Sequence, residues 1–159
     1  MRLPIAAYLN LTGNHSMNHQ AILWPVAALV LLNMIVCAAL LRERFTEFAA
    51  RRLNPQTAAS RANMAKAMLH TQAADNYQNL FEAPVLFIAA ALAAYVTHQA
   101  DHWLLLMAWL YVALRYAHSA IHLTYNNVMH RFWAYGTSML VLWAMWATLA
   151  LHWLSDAAS

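Results

Sequence analysis

Four long apolar stretches separated by polar segments dominate the chain, at about residues 21–41, 80–97, 103–123 and 132–154. Each is close to the roughly 17–25 residues that a helix needs to cross about 30 Å of hydrocarbon. Backbone polar groups in lipid must be satisfied internally, which a helix does within one segment. A β-barrel would show a series of alternating stretches of about ten residues, and the sequence shows none. The pattern therefore predicts an all-α integral membrane protein, an antiparallel four-helix bundle spanning residues 21–154.

The composition supports a membrane protein. Of 159 residues, 63% are hydrophobic and 9% are charged, whereas a typical soluble domain has about 25% charged residues. This composition excludes a disordered chain, and the single Cys37 excludes an intramolecular disulfide scaffold. The net charge of +3 needs no nucleic acid partner to explain it.

The distribution of basic residues predicts the topology. Six of the nine Lys and Arg residues lie within residues 42–79, and a seventh, Arg131, closes the segment 124–131. Because cytoplasmic loops are enriched in Lys and Arg, we expect both segments in the cytoplasm and both termini outside. In a bacterium the membrane would be the inner one. Residues 1–20 have an uncertain status, with Met1 or Met17 as the start, and residues 155–159 form a short tail.

Polar side chains cluster on two helical faces. On the third span, the spacing of seven residues places them on one face: Tyr111, Arg115, His118, Ser119, His122, Tyr125 and Asn126. The helix entering the second span has a similar face made of Asp75, Asn76, Asn79 and Glu82. At a rise of about 1.5 Å per residue, Glu82 and Arg115 reach similar depths and are candidate partners.

Three interpretations of these residues stay open. A Glu82–Arg115 pair can fix the register between spans, and removing one partner would then leave a buried charge. Alternatively, Arg115 and Arg131 form a site for an anionic substrate, where guanidinium groups would favour a thiolate nucleophile. A metal site at His118 and His122 with Glu82 is the weakest interpretation, because the spans contain no second pair of histidines.

Two stretches resemble signatures of the MAPEG family, the membrane-associated proteins in eicosanoid and glutathione metabolism. Residues 76–87, NYQNLFEAPVLF, resemble its second-helix Asn-x-x-Glu…Pro-x-Phe motif. Residues 115–126, RYAHSAIHLTYN, followed by Arg131, resemble its third-helix Arg-x-x-His/Tyr-x-x-x-Tyr…Arg motif. The chain's departures from the family pattern, at Asp75, Pro84 and His122, resemble the family's bacterial branch.

The resemblance implies a homotrimer that binds glutathione between subunits near the cytoplasmic face. By position, Asn79, Glu82 and Arg115 match glutathione-contacting residues, and Arg131 matches the Arg that stabilises the thiolate. His118 matches the His or Tyr one turn after Arg115. His122 stands where the family usually has Tyr, and Tyr125 lies on the same face as a further candidate contact.

Besides His122, two further positions depart from the family pattern. Asp75 stands where glutathione-using members usually have Arg, and an acid there would repel glutathione carboxylates. Pro84 follows Glu82 by two residues rather than three. We expect a glutathione-dependent transferase or peroxidase acting on a small hydrophobic electrophile from the bilayer, with Arg131 and His118 as catalytic residues. The alternative is a non-catalytic membrane protein that binds a lipid or anionic ligand and uses the polar cluster structurally.

Overall fold

A computed structural model describes residues 18–158; the predicted start at Met1 or Met17 lies outside them. The elements, in chain order, are a 3-10 turn His19–Ile22, α1 Leu23–Arg51, a 3-10 turn Pro55–Ala58, α2 Arg61–Ala67, α3 Gln72–Asn79, α4 Ala83–Val96, α5 His102–Leu123 and α6 Val128–Ala157. The described residues contain no strand. The all-helical prediction is confirmed.

Four helical segments are long and apolar enough to span a membrane: His19–Arg51, Gln72–Val96, His102–Leu123 and Val128–Ala157. The prediction of four spans is thus confirmed. The helices extend further than the apolar stretches, because α1 continues to Arg51 and α6 begins at Val128. An apolar stretch marks the part of a helix that lies in lipid, whereas the helix itself begins and ends at local signals.

Those local signals are side-chain caps and a left-handed residue. Asp101 caps α5 by accepting from the Leu104 N–H at 2.7 Å, and Asn127 caps α6 by accepting from the N–H groups of Met129 and His130. Such caps satisfy backbone donors that have no partner in the first helical turn. At the end of α1, Arg52 adopts a left-handed conformation with φ of 52°, which stops the helix.

The second span is interrupted at residues 80–82, between α3 and α4. Pro84 lies in the first turn of α4, where its missing N–H and its ring prevent α3 from continuing as one helix. The interruption leaves the carbonyl of Asn79 outside the helical hydrogen-bond ladder. This carbonyl becomes available to another helix.

The core combines small residues with a few large ones. Ala90, Ala91 and Ala94 of α4 are fully buried, which allows close helix approach, as small residues do in membrane bundles. The rings of Phe87 and Tyr111 stack with centroids 4.5 Å apart. Many large apolar side chains remain exposed on the outer surface, as expected for contact with lipid.

The two ends of the bundle differ in charge. Residues 42–79 and 124–131 lie together at one end, here called the basic end. Residues 97–101 lie at the opposite end. There, His19 Nδ1 contacts the Ala100 carbonyl at 3.0 Å, and Asp101 lies 3.8 Å from His152. Because the connecting segments lie at alternate ends of the bundle, successive spans run in opposite directions, which is the antiparallel arrangement expected from the sequence.

At the basic end, the connection between α1 and α3 is held by one buried carboxylate. Glu47 of α1 is 8% exposed. It accepts hydrogen bonds from the Leu69 and His70 N–H groups and from Arg51 Nη1. Arg51 also donates to the Ala67 carbonyl. We call this set, Glu47, Arg51, Ala67, Leu69 and His70, the Glu47 junction.

Candidate functional site

Arg115 lies at the centre of a buried polar cluster between α3, α5 and α6. Its side chain is fully buried, and its Nη2 donates to the Asn79 carbonyl at 2.9 Å. That acceptor is available because the helix is interrupted after Asn79. The guanidinium also lies over the Tyr135 ring, 5.1 Å from the centroid, a favourable cation–π arrangement.

Two histidines connect α5 to the start of α6 through Arg131. His118 Nδ1 lies 3.1 Å from the Arg131 carbonyl, and Arg131 Nη1 lies 3.0 Å from His122 Nε2. The two imidazole rings are 5.7 Å apart in an edge-to-face arrangement. Arg131 Nη1 also donates to Asn126 Oδ1 at 2.6 Å. The four predicted residues Arg115, His118, His122 and Arg131 thus lie in one neighbourhood.

These contacts determine the tautomers of both rings. A carbonyl oxygen can only accept, so His118 donates from Nδ1, and its neutral ring carries a lone pair at Nε2. This Nε2 is buried and has no hydrogen-bond partner within the described chain. A guanidinium can only donate, and of the two His122 ring nitrogens Nε2 is nearer to Arg131 Nη1, at 3.0 Å against 3.4 Å, so Nε2 is assigned as the acceptor. His118 therefore presents a free basic nitrogen, whereas His122 positions Arg131.

Three further residues complete the cluster. Asn76 is fully buried, and its Oδ1 accepts from Ser119 Oγ at 3.1 Å. Both residues lie on the polar faces predicted from the sequence but are not among the predicted site residues. Tyr135 was missed entirely, although it lies one helical turn after Arg131 and so faces the same side of α6. We call Asn76, Arg115, His118, Ser119, His122, Arg131 and Tyr135 the polar cluster.

Three candidate residues lie outside this cluster in the single chain. Asn79 contacts it only through the backbone carbonyl that binds Arg115. The Glu82 side chain is exposed and accepts from Gln78 Nε2 at 3.3 Å. The Glu82–Arg115 ion pair considered from the sequence is not formed between these described residues. Arg115 donates to the Asn79 carbonyl instead. Tyr125 is 61% exposed, and its hydroxyl contacts His130 Nδ1 at 3.0 Å.

Hydrogen-bond donors outnumber acceptors in the cluster. Within the described chain, Arg115 Nε and Nη1, Arg131 Nε and Asn76 Nδ2 are buried and lack a partner. Unsatisfied buried donors cost about 1–3 kcal/mol each, more when charged, so they are rare in native proteins. A group rich in acceptor oxygens, or an anion, would complement this arrangement.

The cluster does not have the composition of a metal centre. Among residues 18–158, no group of three or more His, Cys, Asp or Glu side chains is arranged to hold a metal ion. His118 Nδ1 contacts the Arg131 carbonyl, and both ring nitrogens of His122 lie within 3.4 Å of Arg131 Nη1. Glu82 is exposed and does not form a three-ligand set with them in the described chain.

Taken together, the chain is a multi-pass helical membrane protein with a buried, donor-rich site near one end of its bundle. The model of the MAPEG family matches residues 22–151, and the chain therefore belongs to the MAPEG family. Comparison with curated proteins and with solved structures gave no match to this chain.

Proposed function

We propose that this MAPEG-family protein binds glutathione at the polar cluster and joins its sulfur to a small hydrophobic electrophile that enters from the bilayer. In a transferase reaction the thiolate forms a carbon–sulfur bond as the leaving group departs from the electrophile. In a peroxidase reaction the thiolate attacks a hydroperoxide oxygen, the alcohol leaves, and a second glutathione converts the sulfenic acid to the disulfide and water. The proposal places the reaction at Arg131 and His118. Asn79, Glu82, Arg115, His122 and Tyr125 bind and position the peptide.

The unsatisfied donors of Arg115 and Arg131 carry this proposal. A structural cluster would be expected to satisfy its own buried groups, whereas a ligand site retains groups that the ligand completes. Glutathione offers carboxylate and peptide oxygens, which accept hydrogen bonds. Hydrogen bonds to charged donors are stronger than neutral ones, so each new bond here contributes usefully to affinity.

The geometry supports the two proposed catalytic roles. His118 Nε2 has a lone pair and no partner, so it can take the thiol proton as a general base. Arg131 is held by His122 and Asn126 and is half-buried. Its guanidinium would stabilise the resulting thiolate, the form of sulfur that acts as a nucleophile.

Assembly into a homotrimer belongs to the same proposal. Glu82 and Tyr125 are exposed at the basic end, where a second subunit could bring them to a ligand shared between chains. The basic end would face the cytoplasm, because it holds most of the Lys and Arg residues.

Arg131→Ala tests the proposed thiolate site. In detergent-purified protein, glutathione should raise the melting temperature saturably, since a ligand at about 100 times its dissociation constant stabilises by about 2.7 kcal/mol. Glutathione should also produce the ultraviolet difference absorbance of a thiolate. Arg131→Ala should abolish this absorbance while the size of the assembly stays the same.

Two controls make the test specific. S-methyl glutathione lacks the ionisable thiol and should give no thiolate absorbance. Arg52→Ala removes an exposed guanidinium at the same end and should leave the signal intact. A folded wild-type protein that shows neither a thermal shift nor a thiolate with millimolar glutathione would overturn the proposed function.

A further inference from the structure

A second polar site lies in a cavity at the basic end, where α1, α2 and α3 meet. The cavity has a volume of about 450 Å³ and is lined by side chains of all three helices. Small-molecule sites usually occupy roughly 300–1,000 Å³. The cavity is therefore large enough for the headgroup of an amphiphile and the first part of its chain.

The charge of the cavity is opposite to that of its surroundings. Glu43 and Asp75 line it together with one guanidinium, that of Arg44, although the basic end as a whole carries an excess of Lys and Arg. Neither described carboxylate forms an ion pair with Arg44. Asp75 accepts from Thr71 Oγ1 at 3.1 Å, and a carboxylate has capacity for further donors.

An aromatic ring and apolar side chains form the rest of the wall. Tyr77 lines the cavity, and its ring is supported by an edge contact with Phe81 at 5.0 Å between centroids. Leu40 and Met68 add apolar surface, and the flexible Met side chain adapts to irregular ligands. Carboxylates beside an aromatic face are the combination that recognises an ammonium group.

The position of the cavity along α1 suggests how the rest of the ligand lies. Leu40 belongs to the end of the apolar stretch 21–41, and the next residue, Leu41, is exposed on the lipid-facing surface. Glu43 and Arg44 follow within one turn. A ligand with its charge between Glu43 and Asp75 can therefore extend an alkyl chain along α1 into the hydrocarbon.

We propose that this cavity binds amphiphiles whose headgroup carries an ammonium ion. Glu43 and Asp75 face the positive charge, Tyr77 contacts it with its ring, and Leu40 and Met68 contact the start of the chain. The same chemistry occurs in zwitterionic aminophospholipids, whose phosphate would bind Arg44, and in soluble alkylammonium compounds. The site uses none of the polar-cluster side chains, so it does not depend on the thiol reaction.

The test compares matched amphiphiles on the full-length protein in maltoside detergent. Decyltrimethylammonium, added below its micelle concentration, should raise the melting temperature saturably. Decyl sulfate and decyl maltoside have the same chain with an anionic or neutral headgroup and should give no saturable shift. In a second arm, phosphatidylethanolamine is compared with phosphatidylglycerol in mixed micelles.

Variants assign the response to the cavity. Glu43→Gln with Asp75→Asn should weaken decyltrimethylammonium binding by about tenfold or more, the scale of losing a bond to a charged group. Asp156→Asn removes an exposed acid at the opposite end of the bundle and should leave the decyltrimethylammonium response unchanged. Met64 also lines the cavity. Met64→Trp keeps both acids but fills the space beside them, so it should abolish the shift in a protein that still folds.

Arg44→Gln distinguishes an aminophospholipid ligand from a soluble alkylammonium ligand. It should weaken the phosphatidylethanolamine response and spare the alkylammonium response if the lipid is the ligand. An alkylammonium response without a phosphatidylethanolamine response would assign a soluble amphiphile. Equal shifts with decyl sulfate, no shift with either ammonium compound, or an unchanged shift in Met64→Trp would overturn the inference.

Discussion

The polar cluster and the Glu47 junction lie at the same end of the bundle but differ in how their polar groups are satisfied. Glu47 accepts three hydrogen bonds, from Arg51 and from the N–H groups of Leu69 and His70. Arg115 is buried just as fully, yet two of its nitrogens have no partner in the described chain.

This difference separates a structural role from a ligand-binding role. The Glu47 carboxylate connects α1 to the segment before α3, and its hydrogen bonds stabilise that connection. The Arg115 guanidinium has one acceptor, the Asn79 carbonyl, and one aromatic contact with Tyr135. Burying this charge without completing its hydrogen bonds costs free energy, and such a cost is expected where a ligand completes the bonds.

Arg115→Met should give the largest effect and should act on binding. Losing a bond to a charged donor costs about 1.5–3 kcal/mol, so glutathione affinity should fall roughly 10- to 100-fold. Stability should change by less than about 1 kcal/mol, because losing the bond to Asn79 is offset by removing an incompletely bonded buried charge. Thermal shift against glutathione and unfolding in mixed micelles measure the two quantities.

The structural interpretation of Arg115 makes the opposite prediction. Breaking a buried ion pair typically costs about 3–5 kcal/mol, and such a loss in Arg115→Met would show that the guanidinium mainly holds the helices together. Arg115→Lys is the matched control, since it keeps the charge but loses the planar set of donors. It should bind glutathione weakly while folding normally.

Glu47→Ala should act on stability alone. Removing the carboxylate leaves the Leu69 and His70 N–H groups without their acceptor, which should cost about 1–3 kcal/mol in the local opening of this connection. Hydrogen exchange of residues 61–70 should accelerate, and glutathione binding should persist. The control Glu82→Ala removes an exposed acid at the same end and should leave exchange there unchanged.

Sequence pattern could predict the polar cluster but not the junction. Arg115, His118 and His122 repeat at helical spacing within an apolar span, where polar residues are costly and therefore conspicuous. Glu47 stands among many charged residues of segment 42–79, and nothing in its spacing indicates that it is buried. Its partners are backbone groups of Leu69 and His70, which leave no trace in side-chain pattern.

The interruption of the second span explains why the predicted Glu82–Arg115 pair does not form. Equal depth suggested that Glu82 and Arg115 pair, an argument that assumes one continuous helix. Because α3 ends at Asn79 and α4 begins at Ala83, Arg115 binds the released Asn79 carbonyl instead. Pro84 signals the kink in the sequence, but the direction in which Glu82 turns depends on tertiary packing.

Two tyrosines on α5 show the same contrast between a satisfied and an unsatisfied buried polar group, and the expected effects are the smallest. The Tyr116 hydroxyl donates to the Ala28 carbonyl at 2.8 Å, whereas the Tyr111 hydroxyl is buried without a partner in the described chain. Tyr116→Phe should destabilise by about 0.6 kcal/mol, the average for hydrogen bonds between membrane helices. Tyr111→Phe removes an unsatisfied group, so it should leave stability unchanged or raise it by up to about 1 kcal/mol.

Both substitutions remove only one oxygen and keep the ring, so packing stays comparable between them. Unfolding in mixed micelles, with both variants measured beside the wild type, gives the sign of each change. If Tyr111→Phe destabilises as much as Tyr116→Phe, its hydroxyl has a partner in the assembled protein, such as a neighbouring subunit. Buried polar groups without a partner in the single chain would then indicate assembly rather than ligand binding, and the unpartnered nitrogens of Arg115 would be expected to contact a neighbouring subunit as well.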